Sequence, residues 1–170
     1  SKTGTSSIQR VLGVRREELA RHGVCYPLSP GWANHGLLPA SLVPVGVLGH
    51  FNPAVWEGMA PAARLARFRE EFAAELAAMP AGTRTLLISA EQISGLLNTR
   101  ELIGSLHAML APHVGTMRVI IYLRRQDAHF ASGYTQALRV ANIGPPVLPQ
   151  AGPETLRHYD YATMLNLWAE

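Results

Sequence analysis

Lysine is almost missing from this sequence: Lys2 is the only one, and arginine supplies the rest of the 15 basic residues. Cysteine is as scarce. Cys25, standing alone, closes no intrachain disulfide and builds no cysteine cage around a metal, so the fold must stand on packing. No apolar run reaches the roughly 20 residues of a membrane helix, and no basic-then-apolar leader is legible. The expectation is a cytoplasmic protein without a membrane span. Charged residues make up only 16% of the chain, and the formal net charge is +3. That mild excess suits an anionic ligand. The arginines are scattered rather than gathered into a stripe among aromatics, which argues against nucleic acid as a partner. What is plentiful is apolar: 48% of 170 residues is enough for one core, and a single domain over 1–170 is expected.

Periodicity divides the chain. Ile8, Val11, Leu12 and Leu19 fall on one face of a predicted helix that begins just after Gly4 and ends at Gly23. Val24 to Tyr26 reads as a short strand, and Leu28 to Pro61, rich in Gly and Pro, as a long irregular excursion with one short helix near Leu37 to Val43. Pro61 opens a helix carrying Leu65, Phe68, Phe72, Leu76 and Met79 at spacings of three and four. Thr85 to Ser89 reads as a buried strand, and Asn98 with Glu101 as a capping box before a helix bearing Leu102, Ile103, Leu106 and Leu110. Val119 to Leu123 is the strongest predicted strand, followed by helical spacing at Phe130, Tyr134 and Leu138. Asn142 to Pro153 is a predicted loop, with a last helix from Tyr159. Helices alternating with strands argue for an α/β fold with a parallel central sheet and helices on both faces.

Two segments carry chemistry. Ser1-Lys2-Thr3-Gly4-Thr5-Ser6-Ser7 runs straight into the first helix. A glycine there lets the backbone approach an anion, the helix N-terminus supplies positive potential, Lys2 adds a full charge, and the hydroxyls of Thr3, Thr5, Ser6 and Ser7 add donors. The order is not that of a Walker A loop, in which glycine directly precedes the lysine and Ser/Thr directly follows it. The second segment places Arg124 at the carboxyl end of the predicted strand and Ser132 eight residues on, about one and a half turns into the next helix. A guanidinium and a hydroxyl converging there can hold a phosphate.

Both segments resemble motifs of the sulfotransferases that use 3′-phosphoadenosine 5′-phosphosulfate. The first is similar to their 5′-phosphosulfate loop, with Ser1 where proline is usual. The second is similar to their 3′-phosphate anchor, with Tyr134 as the following aromatic. Looser agreement with bacterial carbohydrate or capsular-type members covers Asn34-His35, Leu87 to Glu91, and Tyr159 to Trp168. The resemblance implies a P-loop NTPase-like three-layer fold, here partial: the strand before the loop and the C-terminal segment lie outside the sequence, and such a piece is expected to be weakly stable alone. It implies sulfuryl transfer without a metal to an acceptor hydroxyl or amine on a small molecule, carbohydrate or glycolipid. Lys2 is expected to stabilise the leaving phosphate, and Lys2, Thr3, Gly4, Thr5, Ser6, Ser7, Arg124 and Ser132 to hold the donor. Glu91 and His35 are the alternatives for the base that takes the acceptor proton. Rival readings are a P-loop nucleotide kinase-like enzyme and a non-catalytic nucleotide-binding α/β module.

Overall fold

A computed structural model describes residues 4–48, 53–141 and 159–169. The chain divides into two compact units: Ser6–Met117, and Ser1–Thr5 with Arg118–Glu170.

The core of the first unit forms around helix α4 (Pro61–Ala77). Pro61 occupies its first turn, where the missing N–H costs nothing, and Leu65, Phe68, Phe72 and Leu76 are buried in the predicted stripe. Phe68 and Phe72 stack at 5.4 Å between ring centroids. Opposite them lies the short helix α3 (Leu37–Ala40), all four residues of which are buried, with Leu48 and Leu110 completing the cluster. The short helix expected within the excursion is thus formed, and it lies in the core.

The first predicted helix is two: α1 (Thr5–Val14) and α2 (Arg16–Arg21). Its buried face also differs from the expected one. Ile8 and Val11 are exposed, whereas Gln9 and Gly13 are buried. The physical reason is close backbone approach: a Cβ on Gly13 would lie 2.8 Å from the Trp32 carbonyl oxygen. At the break, Arg16 turns inward, donating to the carbonyls of Tyr26 (2.7 Å) and Trp32 (2.6 Å). Gly23 follows α2 with φ 74, the left-handed backbone that a helix-ending glycine supplies.

The two predicted strands that lead into and out of this core pair with each other. β1 (Val24–Cys25) runs parallel to β2 (Thr85–Leu86), in register Val24 with Thr85 and Cys25 with Leu86. Helices α5 (Gln92–Leu96) and α6 (Arg100–Leu110) follow. The cap of α6 is Thr99 rather than Asn98: the Thr99 hydroxyl accepts the Leu102 N–H at 3.4 Å. Mixed helix with a small parallel sheet is thus the architecture of the described residues.

In the second unit, α7 (Gln126–Ala141) and α8 (Tyr161–Ala169) hold the predicted helical positions. The strand expected at Val119 to Leu123 is not formed. Val119, Ile120, Tyr122 and Leu123 are exposed, Ile120 by 68%. A buried parallel strand needs a ladder neighbour, and among the described residues the only ladder joins β1 to β2. The predicted loop at Asn142 to Pro153 lies outside the described residues.

Candidate functional site

Gly4 has φ 82, and a Cβ there would meet nothing within 4 Å. A residue with a side chain is strained in that backbone region, while the space beside it is open. Thr5, Ser6 and Ser7 form the first turn of α1, so their N–H groups belong to the helix end that has no carbonyl partners within the helix. Lys2 and Thr3 lie outside the described residues.

Arg124 and Ser132 are brought together. They line one cavity of about 460 Å³ with Ala128, Ala131 and Thr135. Ala128 and Ser132 are four apart on one face of α7, and Arg124 stands two residues before that helix begins. The small side chains between the two polar groups leave room for a ligand. Arg125 behaves differently: it faces Asp127 with contacts of 3.1 and 2.5 Å, and holds that carboxyl below the usual carboxylate range. The doublet thus divides, Arg124 on the cavity and Arg125 in a surface ion pair.

On α7 beside this cavity, the His129 ring contacts Tyr161 Oη at 2.8 Å and packs edge-on against Tyr159 at 5.0 Å. A Cβ on Gly133 would lie 3.6 Å from Tyr159 Oη. The agreement of Tyr159 to Trp168 with a known segment pointed to this helix, but not to its ring contacts with α7.

His35 and Glu91 both lie in the Ser6–Met117 unit. His35 is 0% exposed. Its backbone N–H donates to the Ser89 carbonyl at 2.9 Å, and its Nδ1 accepts the Ser89 N–H at 3.2 Å. Nδ1 as acceptor leaves the proton of the neutral ring on Nε2. Burial, helped by the Arg16 charge, lowers the His35 pKa to about 4; the Pro27 carbonyl opposes this, although no aligned hydrogen bond reaches Nε2. The ring ties the excursion to the strand-end segment. A base must reach the proton it takes, and a fully buried ring with Nδ1 occupied is not placed to do so.

Glu91 is exposed and immediately precedes α5. Ser89, two residues before it, also receives a hydrogen bond at Oγ from Gln9 Nε2 (3.2 Å), so α1 leans on the segment that carries Glu91 one turn below its own start. Asn34-His35 and Leu87 to Glu91, matched only loosely by sequence, therefore meet in space at His35 and Ser89.

Sequence reasoning assigned no role to the residues that line a second cavity, in this unit. It measures about 880 Å³ and lies among residues 28–37, α4 and Gln92. On its wall Arg64 is buried and reaches Glu57 and Glu71, each at 3.3 Å. One advance signal is Arg64 itself, a charge one position before Leu65 on the apolar stripe of α4.

Among the described residues no group of three or more His, Cys, Asp or Glu is placed to hold a metal ion, and no helix is long and apolar enough to cross a membrane. Compared with protein-family models, curated proteins and solved structures, the chain matches none of them.

Proposed function

We propose that this chain carries the donor-binding part of a sulfotransferase, which moves a sulfuryl group from 3′-phosphoadenosine 5′-phosphosulfate to an acceptor hydroxyl or amine. The observation that carries the reading is the grouping of Gly4 and Thr5 with Arg124 and Ser132 in one compact unit, with the last two on one cavity. Two segments suited to anions within one unit match a nucleotide that carries phosphate at both its 3′ and 5′ positions.

In this reading the open backbone at Gly4 and Thr5 receives the 5′-phosphosulfate, and Arg124 with Ser132 receives the 3′-phosphate. The acceptor oxygen or nitrogen bonds to sulfur as the bond from sulfur to the bridging phosphate oxygen breaks. The electron pair stays on that oxygen. Lys2 and the loop amides stabilise the charge that grows there. The acceptor proton goes to a base, and exposed Glu91 is assigned that role in preference to buried His35.

The test is titration of the full chain with 3′-phosphoadenosine 5′-phosphate and with ATP, each with and without Mg²⁺. Tighter binding of the bisphosphate, unchanged by metal, is expected. Metal-dependent preference for ATP would overturn the reading in favour of a nucleotide kinase.

A further inference from the structure

Buried polar atoms without a hydrogen-bond partner occur on four side chains of the described residues: Asn34, His35, Arg64 and Gln92. Three of these residues, Asn34, Arg64 and Gln92, line the 880 Å³ cavity. Glu57 lines it as well, and is the one described non-glycine residue with left-handed backbone, φ 52. Unmet hydrogen-bonding capacity and backbone strain each cost stability, and both collect where a ligand is bound. Here they collect around one cavity.

The wall also restricts the ligand. Three carboxylates, Glu57, Glu71 and Glu75, face two guanidinium groups, Arg64 and Arg67. The carboxylates already have partners. Glu75 accepts from Leu28 N–H, Ser29 N–H and Ser29 Oγ, while Glu71 accepts from Arg67 Nε at 2.6 Å and from Arg64. A cation meets two arginines here, an anion meets three carboxylates, and a purely apolar ligand strips water from charged groups and returns nothing. A neutral molecule carrying many hydroxyls donates to carboxylate and amide oxygens and accepts from guanidinium N–H groups at once. Trp32, 52% exposed, lines the same cavity, with Leu37 and Val55 as apolar surface. An exposed indole suits the C–H face of a saturated ring.

We infer that this cavity binds a neutral sugar, with Trp32 as the stacking platform and Asn34, Arg64 and Gln92 as hydrogen-bonding groups. The cavity is within the size range of small-molecule sites and holds more than one sugar ring. The unpartnered amide oxygens are shielded as they stand, and they reach a ligand by rotation about the soft terminal torsion of each amide. As an acceptor site the cavity rests on the sulfotransferase reading; as a sugar site it stands on this unit alone.

The test is titration of the full chain, without nucleotide, with glucose, N-acetylglucosamine and maltose. Hexylammonium and glucuronate serve as charged controls, and binding is followed by calorimetry and indole fluorescence. Saturable binding of at least one neutral sugar is expected, tighter than either control. Trp32→Ala is expected to weaken it about tenfold, and Trp32→Phe to restore most of the loss. Should Trp32→Ala fail to fold, Gln92→Ala is expected to weaken binding about fivefold. No binding of any neutral sugar, tighter binding of a charged control, or unchanged affinity in the variants would overturn the inference. Sugar binding without bisphosphate binding refutes only the sulfotransferase reading, and the reverse refutes only this site.

Discussion

The two units treat their apolar residues in opposite ways. In Ser6–Met117 the α4 stripe of Leu65, Phe68, Phe72 and Leu76 is buried, while in the unit containing Arg118–Glu170 the most apolar run, Val119 to Leu123, is largely exposed. Both patterns were plain in the sequence. What separates them is the partner: α4 faces α3, Leu48 and Leu110, whereas the run at 119–123 has no ladder neighbour among the described residues. An apolar pattern states which surface a segment must hide, and the rest of the chain decides whether it is hidden.

The largest effect that can break this comparison is in the core. Phe68 is 0% exposed and stacks on Phe72, so Phe68→Ala should cost about 3–5 kcal/mol, the usual range for emptying a buried aromatic site. Denaturant unfolding measures it. A loss below about 1 kcal/mol would mean that the stripe is not packed as described.

Next in size is a pH effect from His35. Its folded pKa, about 4, lies below the ordinary 6.5, so the unfolded chain binds the proton more readily. The stability linked to this ring is complete above pH 6.5, falls as pH drops toward 4, and is fully lost below that. The span corresponds to about 3 kcal/mol at most. Unfolding midpoints measured from pH 7 to 4 should decline, and His35→Gln should flatten the decline. An unchanged slope would place the ring in water rather than against Ser89.

These two cases also show what was legible in advance. Helix α4, the strands β1 and β2, and the glycine after α2 follow from local periodicity and backbone chemistry, which a sequence displays. The buried face of α1 does not: Gly13 is inside because the Trp32 carbonyl comes within 2.8 Å of where its Cβ would stand, a contact made across 19 residues of chain. The site divides likewise. Arg124 and Ser132 stand eight residues apart across the start of α7, and they line one cavity, as that interval led us to expect. From the sequence His35 is a candidate base, and only the fold shows its ring held by Ser89. The Arg64, Glu57 and Glu71 cluster joins α4 to a turn that carries no motif.

A smaller effect sharpens the comparison from the other unit. Arg124→Ala should weaken binding of 3′-phosphoadenosine 5′-phosphate about 30-fold, the equivalent of losing hydrogen bonds between charged groups, with Ser132→Ala about fivefold. Arg125→Ala should change it little, because Arg125 is engaged with Asp127. Equal losses at 124 and 125 would mean that a diffuse positive field, rather than the cavity, attracts the nucleotide.

The smallest expected effect is the most direct test of the contrast. Ile120→Ser removes an isoleucine from the middle of the strongest predicted strand, where a buried position would lose several kcal/mol. With Ile120 68% exposed and no ladder to disturb among the described residues, the change should stay within about 0.5 kcal/mol in denaturant unfolding. Phe68→Ala and Ile120→Ser together then read the same hydrophobic signal in two settings. A cost at Ile120 approaching that at Phe68 would show that the 119–123 run is packed against a neighbouring strand, and that the two units hide their apolar residues alike.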